Sequence, residues 1–472
     1  MIAEMRVSIT RGLVLVLCAG LSGCCRVGSQ PPAATALDRY VSKPDPSYSW
    51  RVVKTLPGQG FTTYVLDMTS QSWRTAAEVD QPLWRHWLVV VKPDTVKSRK
   101  ALLILGNGNN NDKMPTEIYP LGTRVVQAAG SVVAELRMVP SQPLTFVATD
   151  NKPRREDDLI AYTWDQYMQT ADEEWPARMP MVKSAVRAMD CLEAFLGGAE
   201  GGHVAIDGFV VVGASKRGWT TWLTGVVDRR VVAIIPMVID VLNVTESMHH
   251  HFAAYGFWAP ALENYIEQKI MDRIDTPAFQ SLMKLVDPYA YRHRLTMPKY
   301  IVNSPGDDLF VPDSSQFYFD KLSGEKYLRY VPNTNHSLDE SDAEEGILAY
   351  YQAILTGRPR PRFSWTLTGD GSIEVQTVDK PTEVHLWQAT NPAARDFRLA
   401  TIGKAWKSSV LADQGGGLYI GKVSKPPKGW TAFFVELVFE SGGASPLKFT
   451  TEVRVVPDTL PFRDKTPSPT KR

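Results

Sequence analysis

The chain has 472 residues, 44% of them hydrophobic and 22% charged, with a formal net charge of +1. That composition excludes a disordered or fibrous protein, and basic residues scattered rather than gathered into a stripe exclude a nucleic-acid footprint. The length fits one large domain with a smaller one attached.

Residues 1–24 do not belong to the fold. Arg6 and Arg11 make a basic start, and Leu13 to Leu21 form an apolar run too short to stop in a bilayer, so the stretch reads as a secretory signal. It ends Leu21-Ser22-Gly23-Cys24, which resembles the bacterial lipobox. The resemblance implies acylation of Cys24, a lipid anchor in a membrane, and a place in the cell envelope on its periplasmic or extracellular side. Several acyl chains together hold such an anchor stably. Cys18, Cys24 and Cys25 fall in this region, which leaves Cys191 alone in the body, in an apolar helical pattern that makes it a buried small hydrophobe.

Residues 25–37 read as a tether. A domain over 38–357 follows. Phe61 to Met68 and Trp84 to Val91 are β-rich, and Ala101 to Leu105 and Ser131 to Val139 are apolar runs of the kind that form buried strands. Met181 to Leu196 carries a helical stripe, Phe209 to Val212 predicts a strand, and Trp219 to Val226 a helix. Val231 to Ile239, Lys299 to Asn303 and Tyr327 to Val331 complete the strands. Strands alternating with helices predict a mostly parallel sheet with helices on both faces. Residues 240–295 break the rhythm with an aromatic, helical stretch, the expected cap over the sheet's carboxyl edge. After the proline-rich Arg358 to Pro361, short alternating segments over 363–456 predict a small β-sandwich.

Three segments carry chemistry. In Phe209 to Trp219 an apolar strand runs through Gly213-Ala214-Ser215 into a helix, the context of a nucleophile elbow, although Arg217 stands where that pattern has glycine and Gly218 follows one place later. The loop Ser304 to Pro312 offers a carboxylate to orient an imidazole. Spacing to Pro312 favours Asp308 over Asp307, and Asp240, after an earlier strand, is an alternative acid. His336, in the loop Asn333 to Ser337 after the next strand, is the candidate base. The order Ser215, Asp308, His336 on successive strand ends is that of a hydrolase triad. Two backbone N–H groups, from Lys216 and from the Gly106 to Asn111 loop at Asn107, would hold an oxyanion. Lys216 and Arg217 either grip an acidic substrate or are solvated helix-start residues. His249, His250 and His251 are adjacent on a helix and point in different directions, so they cannot converge on one metal ion, and neither a metal nor a cofactor is expected. Glu246 is a further carboxylate of the same stretch.

The elbow GASKRGW, the loop NGNNN after a buried strand, and SPGDDLFVPD followed by NTNHS resemble the PhoPQ-activated pathogenicity-related protein family, from about Leu37 to Phe462. The resemblance implies an α/β-hydrolase-like fold and an exported protein linked to virulence or secreted signalling. It carries Ser215, Asp308 and His336 onto the triad. The expected activity is hydrolysis of an ester or amide bond in a small molecule, peptide or glycan. The alternative is a binding or signalling protein that keeps the fold without efficient catalysis.

Overall fold

The structure, a computed structural model, describes residues 34–465. The signal sequence, Cys24 and all but the last few tether residues lie outside the described residues. The tether ends sooner than expected. Helix α1 (Ala36–Ser42) begins inside it, because Thr35 and Asp38 cap each other reciprocally at its first turn.

An antiparallel meander opens the domain: β1 (Ser49–Pro57), β2 (Phe61–Ser72) and β3 (Leu83–Pro93). Then come β4 (Lys100–Leu105), α2 (Pro120–Ala129), β5 (Val133–Leu136) and a short ribbon of β6 (Leu144–Thr145) with β7 (Pro153–Arg154). Helices α3 (Glu156–Thr170) and α4 (Arg178–Gly197) precede β8 (Gly208–Ala214), α5 (Lys216–Val227) and β9 (Val231–Met237). The stretch read as a cap is helical, with α6 (Val244–Tyr255), α7 (Glu263–Glu267) and α8 (Pro277–Val286). Strands β10 (Lys299–Asn303) and β11 (Lys326–Tyr330) and helix α9 (Ala343–Thr356) complete the α/β part.

Strands β5, β4, β8, β9, β10 and β11 lie side by side and parallel. From β2 to β11 the order is β2-β3-β5-β4-β8-β9-β10-β11, with β3 antiparallel to both neighbours. This is the strand order of the α/β-hydrolase fold. The near-continuous apolar strands follow from burial on both faces. Leu103, Leu105, Phe209 and Val211 point into one core, and Leu102, Ile104, Val210 and Val212 into the other. Each such burial stabilises by about 2 kcal/mol. Trp222 and Leu223 of α5 and Leu192 of α4 close the first face, and Val125 of α2 and Ile347 of α9 close the second. Cys191 is fully buried, and burial pushes its thiol up, as suits a core residue.

The C-terminal strands are β12 (Phe363–Leu367), β13 (Ile373–Thr377), β14 (Glu383–Asn391), β15 (Lys407–Val410), β16 (Leu418–Gly421), β17 (Trp430–Phe439), β18 (Leu447–Thr450) and β19 (Arg454–Val456), with the short helix α10 (Leu399–Ile402) after β14. They form two layers, as the alternation of apolar residues predicts. The sheet β12-β13-β16 buries Ile373, Val375 and Tyr419 against Leu386, Phe433 and Val435 of β14 and β17. The second layer is continuous with the central sheet, because β18 pairs antiparallel with β11 at Thr450 and Leu328.

The chain's path sets the location of the site. Strand β5 lies between β3 and β4, so the chain steps back from β4 to β5 on one side, whereas from β8 it steps on to β9 on the other. At that reversal the loops after β4 and β8 diverge and leave a crevice at the carboxyl ends of the strands.

Candidate active site

Ser215 sits in that crevice, between β8 and α5, with φ 55° and ψ −121°. A serine in this region costs on the order of 1–3 kcal/mol, a strain that the flanking strand and helix hold in place. Its N–H donates to the Met237 carbonyl at 2.9 Å, and its carbonyl accepts from the Trp219 N–H at 2.9 Å. Two glycines let the turn close. A Cβ on Gly213 would lie 2.7 Å from the Arg217 carbonyl oxygen, and one on Gly218 would lie 2.8 Å from the Met237 carbonyl oxygen. Gly218 therefore serves the elbow one place later than the common pattern.

Arg217 has room because its side chain leaves the turn. Its Nε donates to the Val139 carbonyl at 2.6 Å, and its guanidinium pairs with Glu156 at the start of α3, one contact being 2.9 Å. Lys216 goes the same way, with Nζ 2.7 Å from Asp157 and 3.3 Å from Glu156. Both cations are buried and paired, so neither is a solvated helix-start residue. Glu156 is held down at about 2: burial raises it, but the Arg217 hydrogen bonds and the charges of Arg217 and Lys216 outweigh that.

The acid beside the histidine is Asp307. His336 Nδ1 donates to its carboxylate at 2.9 Å to Oδ2 and 3.1 Å to Oδ1. The expected Asp308 is not there. Gly306 and Ser304 turn the loop so that Asp307 points inward and is buried, while Asp308 is left partly exposed and accepts no hydrogen bond among the described residues. Asp307 Oδ1 also accepts the Leu309 N–H at 2.8 Å, which fixes the carboxylate. The alternative acid Asp240 is held by the Tyr318 and Tyr330 hydroxyls at 2.6 and 2.7 Å. Burial in that pocket pushes it up to about 7. Glu246 is exposed on α6.

Burial pulls His336 down, but the Asp307 charge and hydrogen bond more than reverse it, so the imidazole lies above its ordinary 6.5. The charges of Lys216 and Asp157 also act on it, which puts the imidazole and the elbow in one electrostatic environment. Among the described residues neither Ser215 Oγ nor His336 Nε2 has a hydrogen-bond partner, so neither is committed to another group. Catalytic hydrogen bonds often tighten only with substrate present.

For an oxyanion, the Lys216 N–H is the first of α5 and has no backbone acceptor among the described residues. Asn107 and Ser215 line the same cleft, of about 370 Å³. The Asn107 loop is pinned from behind, since Asn110 and Gly108 are bonded to residues 142 and 143. The other side of Ser215 opens on a mostly apolar cavity walled by the cap, including Met248, Leu262 and Phe279.

The C-terminal segment braces the acid and histidine loops, a role no sequence motif signals. Leu399 N–H donates to the Gly306 carbonyl at 2.9 Å, and Asn333 exchanges two hydrogen bonds with the Trp406 backbone at 2.9 and 3.0 Å. Arg395 meets Asp313, just beyond the acid loop, at 2.6 Å, and His250 of the cap meets the same carboxylate at 3.0 Å. The three adjacent histidines do diverge: His249 reaches Asp275 at 2.9 Å, His250 reaches Asp313, and His251 accepts the Ala259 N–H at 3.1 Å. Glu156, Asp157 and Arg178 are site residues that sequence reasoning missed. Three acids, Glu156 to Asp158, opening an apolar run were the available signal, since carboxylates gather at helix starts.

Comparison with known proteins places the chain. It is 40% identical over 459 residues to "Autocrine proliferation repressor protein A" of Dictyostelium discoideum, covering 91% of this chain and 92% of that protein. Among solved structures it is similar to acetyl xylan esterase 1 from Thermoanaerobacterium sp. JW/SL YS485, at TM-score 0.47 and 15% identity over 69% of this chain and 93% of that one. It is also similar to a glucuronoyl esterase from Solibacter usitatus, at TM-score 0.41 and 15% identity over 68% and 91%. Residues 37–398 match the profile of the PhoPQ-activated pathogenicity-related proteins, and the chain belongs to that family.

Proposed function

We propose that the protein is a serine hydrolase that cleaves an ester or amide bond. The observation that carries this reading is the pairing of His336 with Asp307, in a chain that also holds a strained serine at a strand-to-helix elbow. In the proposed reaction Ser215 Oγ attacks the carbonyl carbon and passes its proton to His336 Nε2. Asp307 holds the imidazole in the Nδ1–H tautomer and stabilises the imidazolium. The Lys216 N–H, with Asn107 opposite, receives the charge on the carbonyl oxygen. His336 then protonates the leaving group, and water releases the acyl group by the same steps in reverse. Activated aryl esters test this. Wild type turns them over, and Ser215→Ala loses at least about 10⁴-fold in kcat. A Ser215→Ala variant as active as wild type would refute the reading.

A second reading, a signalling or binding protein without efficient catalysis, draws on the name of the Dictyostelium discoideum relative. It becomes the better one if folded wild type turns over no member of a broad ester and peptide panel.

The lipobox-like Leu21-Ser22-Gly23-Cys24 supports export and attachment to a membrane through Cys24. On this reading Cys24→Ser moves the protein from the membrane fraction to the soluble one. A wild-type protein already soluble would end it.

A further inference from the structure

The cap-side cavity holds a cation with no carboxylate partner. Arg178 is the first residue of α4, is 1% exposed, and lines the cavity together with Ser215. Its Nη1 donates to the Lys216 carbonyl at 2.9 Å, and its guanidinium lies over the Trp219 ring at 4.5 Å. Its Nε has no partner, and among the described residues no carboxylate comes within ion-pair distance of it. Asp157, on the same cavity wall, is already engaged by Lys216 Nζ at 2.7 Å and by the Tyr265 hydroxyl at 3.0 Å.

The balance of local effects opposes this placement. Burial, the largest of them, disfavours the charge, the amino end of a helix carries partial positive charge, and Arg217 adds another cation nearby. Asp157 and Glu156 act on it from a distance and offset only part of that. Arg178 is drawn down to about 10, so it stays charged at neutral pH. An unpaired buried guanidinium, bonded to the residue next to the nucleophile, is matched by an anion arriving with the substrate. The rest of the cavity, walled by Trp164, Met248, Leu262 and Phe279, suits an apolar group. Its volume is about 50 Å³.

We propose that Arg178 is a substrate-recognition residue that binds a carboxylate, so that the preferred substrates are apolar compounds carrying a free carboxylate near the scissile bond. This rests on the hydrolase reading of Ser215 for its substrate language, but not for its binding site. Planar guanidinium and carboxylate match through paired hydrogen bonds, and the low-dielectric cavity strengthens them.

Two measurements test it. The first compares a mono-4-nitrophenyl glutarate with the same ester capped as its methyl ester. Wild type is expected to favour the free acid by about tenfold or more in kcat/KM, and Arg178→Gln to erase that ratio. A folded Arg178→Gln that keeps the ratio, or a wild type that prefers the capped ester, overturns the proposal. The second needs no catalysis and guards against a variant that fails to fold. Phenylacetate is expected to raise the melting temperature of wild type and of Ser215→Ala, with phenylacetamide about tenfold weaker. Equal effects of the two overturn the proposal. If no ester is turned over and phenylacetate still outperforms phenylacetamide, the hydrolase reading falls and the carboxylate site stands. If esters are turned over with no preference for the acid, the carboxylate site falls and the hydrolase reading stands.

Discussion

Asp307→Asn is expected to lower kcat on the order of 10⁴-fold, whereas Asp308→Asn stays within about tenfold of wild type. The asymmetry follows from geometry. Asp307 is buried and takes the His336 Nδ1 proton at 2.9 Å, so an amide there either presents its NH₂ to Nδ1 or flips the imidazole to the wrong tautomer. Asp308, one residue on, is partly exposed and, among the described residues, hydrogen-bonds to neither His336 nor Ser215. The pH profile separates the two further. His336 accepts a proton only when neutral, so activity rises with pH through its pKa, which the Asp307 charge lifts above 6.5. The wild-type acidic limb therefore has its midpoint above 6.5, and whatever activity Asp307→Asn retains has a lower one. Equal losses in the two variants, or the large loss in Asp308→Asn, would show that the loop serves the histidine differently. A severe Asp240→Asn would move the acid to the end of β9.

Glu156→Gln is expected to destabilise the fold by about 2 kcal/mol at neutral pH and to slow turnover by about 10²-fold. Glu156 is the shared partner of two buried cations that follow Ser215, and its own side chain is 34% exposed, so the effect falls below that of a fully buried pair. Without it, Arg217 keeps only the Val139 carbonyl, and the first turn of α5 loses its tie to α3. The sign with pH is fixed. The folded state lowers Glu156 from 4.5 to about 2, so its contribution is complete above 4.5 and fades as pH falls toward 2. Urea titrations at pH 7 and near pH 3 give the comparison. A gap between wild type and variant that does not narrow at the lower pH would mean that the glutamate acts by shape and not by charge.

The fold was legible because burial leaves a periodic record. Runs such as Ala101 to Leu105 and Phe209 to Val212 are apolar throughout because both sheet faces are covered. The elbow was legible because a closed turn demands small residues at Gly213 and Gly218. The choice between two adjacent aspartates was not, since it depends on which way one loop residue faces, and Leu399 and Thr334, brought close by the fold, fix that loop. The roles of Lys216 and Arg217 were hidden for the same reason. Their partners lie about sixty residues earlier, on a helix whose acidic start alone hinted at them. Arg178 leaves no pattern at all, because a single buried cation inside an apolar helical stripe looks in sequence like one on the solvent side. The join between β18 and β11 was also invisible, being a pairing of edges and not of motifs.

The central claim is that Ser215 is an activated nucleophile. Its most direct test is covalent. A fluorophosphonate probe is incubated with folded wild type, with Ser215→Ala and with His336→Ala, and the modified peptide is sequenced by mass spectrometry. The account predicts one adduct on Ser215 in wild type, none in Ser215→Ala, and slow labelling in His336→Ala, whose serine lacks its base. Wild type that stays unlabelled, or carries the adduct on another residue, would contradict it.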